Sequence, residues 1–360
     1  MPTTSPGSLV HDAEGRNSGT RPSIDPHHVI TPVSQFFKRS HAEYPVVDVK
    51  AWRLQVRGLV ERPLTFSLDE LTRAFPLRDV AATLVCAGLR RDEFLALGPL
   101  PGELPWGPEA ASTGRWRGVS LAEVLRAAGL ADGARYVELI GLDQVERHGE
   151  RFGFGGSIDV DKALGADVLL ATELNGDPLP LAPEFPLRAV VPGWIGARSV
   201  KWLAQINLSS EPSANYFQSK AYRVQREINP DYPRYVSAGV AMRGVPLNAV
   251  IVDPAPDAVV SAGTVRVRGW ALGSEARALA RIEVSPNDGE TWTPAIRVAA
   301  DGPWTWTFWE AAVELPAGRR TLVVRAADAA GTTQPPSVAE TWNVKGYGNN
   351  AWHRVSITVE

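Results

Sequence analysis

The chain has one cysteine, and its surroundings are suited to metal chemistry. Cys86 lies in the segment TLVCAGLRRDEF, residues 83–94, shortly before Arg90 and Arg91. Positive charge stabilises the thiolate, which is the form of cysteine that binds metals. One thiolate cannot build a zinc or iron–sulfur site alone. Cys86 is therefore either an inert buried thiol or the single protein ligand of a metal that an organic cofactor carries.

Other residue patterns exclude several familiar kinds of site. The six histidines form no HExxH pair, and the adjacent His27 and His28 lie next to a region that lacks the fixed framework zinc requires. The sequence contains no Walker motif, and GFGGS at 153–157 does not match the dinucleotide-binding pattern. A net charge of −3 gives no general attraction to nucleic acid or to an anionic membrane. Any anion site must therefore be a local cluster of cations.

The segments that must position Cys86 predict an α+β domain over residues 29–240. DVAATLVCAG, residues 79–88, is typical of a buried strand that delivers Cys86 to its end. Further short apolar segments, such as RYVELIGLD and SVKWLAQINL, are separated by Gly, Pro and Asn-Gly turns. Because strands and helices do not alternate regularly, mixed sheets are favoured over a doubly wound fold.

The pattern changes near residue 240 and predicts a second domain. From 245 to 360, short alternating segments recur at the spacing of an all-β sandwich, among them TVRVRGWAL, RTLVVRAAD and TWNVKG. Two domains are also expected from the length of 360 residues.

Residues 1–28 are predicted to form a flexible N-terminal tail, because they are rich in Ser, Pro, Gly and Thr. They contain neither the basic and apolar regions of a secretory signal nor a twin-arginine pair, so a cytoplasmic location is expected. No uninterrupted apolar stretch approaches about 18 residues, which predicts no membrane span. With a single cysteine, no internal disulfide is expected.

Eight segments between Phe36 and Val359 are together highly specific: FFKRSH, TLVCAGLRRDE, FGGSI, ELNGDPLP, FPLRAVVPGWIGARSVKWL, YFQSKAYR, VSPNDGETW and WNVKGYGNNAWHRV. With them the chain resembles the sulfite oxidase family of molybdenum enzymes. The resemblance implies a molybdopterin cofactor in the α+β domain, with the Cys86 thiolate as a ligand of molybdenum. It also implies an immunoglobulin-like C-terminal domain that forms homodimers.

The resemblance assigns roles to ten further positions. Substrate and active-site contacts fall on five residues: Arg39, Arg91, Trp106, Tyr222 and Lys345. Cofactor contacts fall on five others: His41, Asp143, Arg188, Arg198 and Lys201. Arginine suits a small oxyanion such as sulfite, because its planar guanidinium can donate two hydrogen bonds to one anion. A tyrosine hydroxyl can fix the substrate or an oxygen of the cofactor.

The sequence departs from the family pattern at four positions. Ser40 and Leu89 stand in place of asparagines, and Pro183 stands where animal relatives have a histidine that contacts the cofactor. Lys345 replaces an arginine, which keeps the charge but loses the bidentate geometry. No cytochrome b5-like haem domain of the kind found in the animal enzymes is expected, so electrons are expected to leave to a separate partner.

The sequence predicts a molybdenum-dependent oxidation of sulfite to sulfate, a step of sulfur metabolism. A cytochrome, a quinone or oxygen is the expected electron acceptor. Two alternatives stay open within the enzymes: a nitrate reductase-type module, and an oxidoreductase acting on another small oxyanion or sulfur compound. A third is a β-sandwich binding protein with a degenerate first domain. The retained cysteine and cations disfavour that third reading.

Overall fold

Two five-stranded sheets build the first domain of the computed structural model, which describes residues 8–25, 27–181, 184–226 and 239–360. The strands that belong to this part of the chain are β1 Ser8–Val10, β2 Ser18–Thr20, β3 Leu54–Gly58, β4 Leu64–Phe66, β5 Leu77–Val85, β6 Ala111–Ser120, β7 Tyr136–Arg147, β8 Glu150–Asp159, β9 Leu169–Leu174, β10 Asp177–Pro178, β11 Arg188–Val190, β12 Leu203–Ser209, β13 Arg223–Val224 and β14 Val240–Ala241. The α-helices are α1 Leu68–Ala74, α2 Leu121–Ala128, α3 Val160–Ala163 and α4 Tyr216–Ser219. Short 3-10 helices span Val33–Gln35, Arg91–Ala96 and Gly196–Arg198.

The strand order confirms the predicted α+β class, and one of the two sheets is mixed. One sheet has the order β10-β9-β6-β5, with β11 also paired to β9, and its pairs are antiparallel. The other has the order β4-β3-β12-β7-β8, in which β3 and β12 run parallel. Both sheets and α2 contribute to one apolar core, represented by Val56, Val124, Leu139, Leu170 and Ile206.

Strand β5 delivers Cys86 to the junction of the two domains. Its last four residues are buried, because the second domain covers this end of the sheet. Thr83 N donates to Trp304 O at 2.9 Å, and Thr83 Oγ1 accepts from Trp306 N at 2.8 Å. The site at the end of β5 is therefore assembled from both domains.

The second domain is the predicted all-β sandwich. Its strands are β15 Asn248–Asp253, β16 Val259–Val260, β17 Gly263–Leu272, β18 Leu279–Ser285, β19 Thr293–Pro294, β20 Ile296–Ala299, β21 Thr307–Leu315, β22 Gly318–Asp328 and β23 His353–Val359, with helix α5 at Val338–Thr341 and a 3-10 helix at Ser274–Ala276. They form two sheets, β15-β17-β21-β20 and β16-β23-β22-β18-β19, around a shared apolar core. Among the described residues, none of the helices is both long and apolar enough to cross a membrane.

The segment TWNVKG, residues 341–346, is a loop and not the predicted strand. Helix α5 ends at Thr341, and the side chain of the buried Asn343 then forms hydrogen bonds with the backbone of the following residues. Asn343 Oδ1 accepts from Lys345 N at 3.3 Å and from Tyr347 N at 3.0 Å, and Asn343 Nδ2 donates to Tyr347 O at 2.7 Å. Such local side-chain bonds compete with strand pairing, and here they direct the loop toward the first domain.

Residues 8–25 are ordered, which corrects the predicted flexible tail. Strands β1 and β2 pair as a hairpin, and Ser18 exchanges two backbone hydrogen bonds with Lys38, at 3.1 and 2.7 Å. Asn17, Ser18 and Ile24 are buried. The polar composition suggested disorder, but these backbone and side-chain contacts attach the hairpin to the first domain.

Candidate active site

Cys86 lies directly after β5 and borders two cavities. Its N donates to Ala110 O at 2.9 Å, which extends the pairing of β5 with β6 by one residue. The side chain is buried, and Gly88 N donates to Sγ at 3.4 Å. The residues that line both cavities are Arg39, His41, Cys86 and Tyr222.

The first cavity, which we call the Asp143 cleft, has an empty volume of about 760 Å³ including its open mouth. Its cationic lining residues are Lys38, Arg39, Arg188 and Lys201. Asp143 and Glu184 also line the cleft, and one carboxylate oxygen of each has no hydrogen-bond partner among the described residues. Buried acceptors without partners are rare in proteins. The cleft therefore suits a ligand that has both an anionic group and N–H donors.

Burial shifts the pKa values of two groups that face this cleft. It lowers the pKa of Lys201 to about 8 and raises that of Asp143 to about 6, although each charge partly offsets the shift of the other. Lys201 Nζ donates to Arg39 O at 2.9 Å and to Ser40 Oγ at 2.6 Å. An anion bound in the cleft would favour the charged form of Lys201.

Arg188 and Arg198 differ in their relation to the cleft. Arg188 lines it and forms a hydrogen-bonded ion pair with Glu184. Arg198 lines neither cavity: its guanidinium carbon lies 5.9 Å from the centre of the Tyr222 ring, and Nη1 donates to Phe217 O at 3.0 Å. The predicted contact of Arg198 with the cofactor stays a prediction: the side chain is buried beside the Tyr222 ring, and its Nε and Nη2 have no hydrogen-bond partner among the described residues.

The second cavity, which we call the Glu103 pocket, combines several cations with one acid. Its cationic lining residues are Arg39, Arg91, Arg147 and Lys345. Glu103 is the one carboxylate among the described residues that line it, and its Oε1 accepts from Lys345 Nζ at 2.9 Å. A wall with this excess of positive charge attracts small oxyanions.

Two glycines allow Arg91 to reach the pocket. A Cβ atom on Gly88 would lie 2.7 Å from Arg91 Cζ, and one on Gly346 would lie 2.8 Å from Arg91 Cγ. Gly346 also has a φ of +58°, which disfavours other residues. Arg91 Nε donates to Gly346 O at 3.1 Å, Nη1 donates to Leu104 O at 3.0 Å, and Nη2 lies 3.3 Å from Glu103 Oε2. Contacts from both domains thus fix the guanidinium.

A chain of hydrogen bonds links Arg39 to Tyr222 through His41. Arg39 Nη2 lies 3.1 Å from His41 Nδ1, and His41 Nε2 lies 2.8 Å from the Tyr222 hydroxyl. Burial, assisted by the charge of Arg39, holds the pKa of His41 well below its usual value, so the ring is neutral. Because a guanidinium can only donate, Nδ1 accepts and Nε2 carries the proton. The Tyr222 hydroxyl accepts from His41, and its own hydrogen is left to donate to a ligand.

The backbone and the pKa of Tyr222 also fit a donor role. Tyr222 has a φ of +53°, a conformation that a bulky residue adopts only where its surroundings enforce it. Burial raises the pKa of its phenol to about 12, so the hydroxyl keeps its proton at neutral pH.

Two residues near the thiol lie away from both cavities. Trp106 is fully buried with its ring centre 4.3 Å from that of His11, so the structure does not bring it into the substrate pocket as predicted. Arg90 is also buried, and its Nη1 donates to Asn248 Oδ1 at 2.7 Å. Arg90 therefore joins the two domains, and of the adjacent arginines it is Arg91 that lines the pocket.

The structure brings most of the predicted site together. Nine predicted residues line at least one cavity: Arg39, His41, Cys86, Arg91, Asp143, Arg188, Lys201, Tyr222 and Lys345. The departure at Pro183 lies outside the described residues. Sequence reasoning missed three residues: Asn17, Glu103 and Arg147. No local pattern marks Glu103 and Arg147, because long-range packing brings them to the pocket. Asn17 was missed because it lies in the segment that was predicted to be a flexible tail.

Asn17 holds the segment that carries Arg39. Its Oδ1 accepts from Arg39 Nη1 at 2.9 Å and from Ser40 N at 3.0 Å. Asp12 fixes the amide in turn, because Asn17 Nδ2 donates to Asp12 Oδ2 at 2.7 Å. The N-terminal hairpin thus positions a residue that lines both cavities.

Asn17→Ala removes the acceptor of both Arg39 Nη1 and Ser40 N and should lower kcat/KM for a small oxyanion substrate by about tenfold, since each hydrogen bond contributes about 0.5–1.5 kcal/mol net. The loss should fall mainly on KM, while cofactor content stays at the wild-type level. Asn207→Ala is a matched control, since that amide binds Glu138 at 3.2 Å and lines neither cavity. Equal effects of the two substitutions on KM would contradict the positioning role.

The residues present fit a metal that is carried by molybdopterin. Among the described residues, there is no group of three or more His, Cys, Asp or Glu side chains that could hold a metal ion. A metal at Cys86 would therefore have to bring most of its ligands with it. The cations of the Asp143 cleft suit the phosphate of molybdopterin, and the free oxygens of Asp143 and Glu184 suit the N–H groups of a pterin.

Two family models match consecutive parts of the chain. Residues 41–217 match the oxidoreductase molybdopterin binding domain, and residues 240–360 match the Mo-co oxidoreductase dimerisation domain. The fold and the cavities at Cys86 together define a molybdopterin-dependent oxidoreductase with a C-terminal dimerisation domain.

Comparison with individual proteins identifies the family within this class. The chain is 37% identical to the sulfite oxidase of Gallus gallus, over 98% of this chain and 78% of that protein. It is 33% identical to nitrate reductase [NADH] 2 of Phaseolus vulgaris, over 92% of this chain and 40% of that protein. The solved structure of the sulfane dehydrogenase SoxCD from Paracoccus pantotrophus superposes with a TM-score of 0.75 at 25% identity, over 92% of this chain and 83% of that one. The chain belongs to the sulfite oxidase family.

Proposed function

We propose that this protein oxidises sulfite to sulfate and passes the electrons to a separate acceptor such as a cytochrome, a quinone or oxygen. One observation carries the proposal: the cation-lined Glu103 pocket shares Arg39, His41, Cys86 and Tyr222 with the Asp143 cleft. An oxyanion held in the pocket would thus lie beside the thiol proposed to bind the metal. The expected activity is sulfite-dependent reduction of an artificial acceptor by the molybdenum-loaded protein.

The side chains of this protein bind and orient the substrate in the proposed reaction. Sulfite and water give sulfate, two protons and two electrons. Arg39, Arg91 and Lys345 would neutralise the charge of the anion, and Tyr222 would donate a hydrogen bond to one of its oxygens. When bound, molybdopterin supplies the oxygen-atom transfer and takes up the two electrons.

Lys345→Met should lower kcat/KM for sulfite by about tenfold or more, the loss expected for one ion-assisted contact. Lys345→Arg should leave the activity equal or higher, because the guanidinium offers two parallel donors. Lys50→Met, at an exposed position, is the matched control.

The cations of the pocket also favour sulfite over nitrate. Nitrate carries less negative charge than sulfite and gains less from Lys345, the third cation beside Arg39 and Arg91. Efficient nitrate reduction by the wild type, with sulfite inert, would overturn the proposed substrate.

We also propose that the C-terminal domain is immunoglobulin-like and pairs two copies of the chain. The two packed sheets support the first part, and the description of the matching dimerisation family supports the second.

A further inference from the structure

Glu103 holds a carboxylate in a pocket that otherwise attracts anions. Its two oxygens lie 2.9 Å from Lys345 Nζ and 3.3 Å from Arg91 Nη2, so it contacts two of the four lining cations. We propose that Glu103 is a resident counter-anion, which the substrate oxyanion displaces and which returns to help expel the product. This inference rests on the proposed function, because it assumes that the pocket binds a sulfur oxyanion.

The contacts of Arg91 show why an incoming anion meets Glu103. Each of its three nitrogens already has a protein neighbour, and two of these neighbours are the backbone carbonyls of Leu104 and Gly346. Backbone carbonyls cannot leave without moving the chain, whereas a glutamate side chain can rotate away. The carboxylate is therefore the neighbour that an oxyanion can replace.

Glu103 is not required to hold Arg91 in place. The two carbonyls bind the guanidinium, and its Cζ atom lies 5.1 Å from the centre of the Tyr347 ring. Glu103 itself projects from a turn in which its N donates to Leu100 O at 3.2 Å. Gly102, on the same turn, borders open space, because an added Cβ there would meet no atom within 4 Å.

A resident carboxylate also explains how the pocket can release its product. Sulfate is a dianion, and four cations without a counter-charge would bind it tightly. A carboxylate that competes for two of them weakens the binding of both sulfite and sulfate. Weaker binding of sulfate speeds its release. The weaker binding of sulfite need not lower kcat, because binding the substrate and the transition state equally tightly does not raise kcat.

The test measures binding of inorganic sulfate to the molybdenum-loaded protein by isothermal titration calorimetry, without turnover. Glu103→Gln should lower the Kd for sulfate by about tenfold, because two cations lose their charged competitor. Glu146→Gln should leave the Kd within about twofold, since it changes net charge equally but at an exposed position outside the pocket. Lys345→Met combined with Glu103→Gln should return the Kd to near the wild-type value.

An unchanged or higher Kd for sulfate in Glu103→Gln would overturn the proposal and leave Glu103 as a support for Arg91 and Lys345. If Glu103→Gln fails to fold, Glu103→Asp replaces it. Its shorter side chain keeps the charge but cannot span both cations, so the Kd should fall severalfold, and no fall would overturn the proposal. A protein that binds sulfate as predicted but does not oxidise sulfite would instead refute the proposed function.

Discussion

Replacing Cys86 with serine should abolish sulfite oxidation while the protein stays folded. Cys86 is the proposed protein ligand of molybdenum, and a hydroxyl is a much poorer ligand than a thiolate for a soft metal site. Removing a contact outside the ligand shell of a metal already costs about ten- to hundredfold. For the ligand itself we expect kcat to fall by more than about a hundredfold.

Three measurements on Cys86→Ser separate the ligand role from a packing role. Steady-state turnover should be nearly absent, the pterin content should stay close to that of the wild type, and the thermal transition in circular dichroism should stay cooperative. The pterin is expected to remain, because its organic part is proposed to bind to the residues of the Asp143 cleft and not to Cys86. Turnover at the wild-type rate by molybdenum-loaded Cys86→Ser would show that Cys86 is an inert buried thiol.

Arg39→Gln should reduce kcat/KM for sulfite by about ten- to hundredfold. A charge-assisted contact to an anion contributes about 1.5–3 kcal/mol, and Arg39 lines both cavities. Its side chain also orients His41, so the substitution disturbs the hydrogen bond that His41 donates to Tyr222. Cofactor content should fall less than kcat/KM, because Lys38, Arg188 and Lys201 still line the Asp143 cleft and Lys201 binds the backbone carbonyl of residue 39.

The matched control for Arg39→Gln is Arg62→Gln, which removes the same charge from an exposed position. Arg62 Nη2 donates to Ala127 O at 2.8 Å, and Arg62 lines neither cavity. If kcat/KM for sulfite fell less than about twofold in Arg39→Gln, or equally in both variants, Arg39 would have no direct role at the substrate.

Much of the fold was predictable from the sequence because it follows local periodicity. The strand that ends at Cys86 and the alternating segments of the sandwich are direct consequences of apolar residues at strand spacing. The loop at 341–346 was not predictable in this way, since TWNVKG alternates like a strand. The buried Asn343 decides the outcome through hydrogen bonds that depend on its tertiary surroundings. The ordered hairpin at residues 8–25 likewise depends on contacts with Lys38 and Arg39.

The site was predictable where residues belong to compact motifs and not where distant segments meet. Cys86 and Arg91 share one short segment, and both line the Glu103 pocket. Trp106 lies only 20 positions after Cys86, yet the intervening turn buries its ring against His11. Glu103 reaches Lys345 across 242 positions, and no pattern in either segment predicts that ion pair.

Steady-state turnover of the molybdenum-loaded protein with sulfite and an artificial electron acceptor tests the central claim most directly. We predict that sulfate forms and that two electrons reach the acceptor for each sulfite consumed. Metal-free protein should form no sulfate and should not reduce the acceptor. Nitrate, offered in parallel with a reduced donor, should be a poor substrate. A molybdenum-loaded protein that leaves sulfite unchanged while it reduces nitrate efficiently would contradict the account.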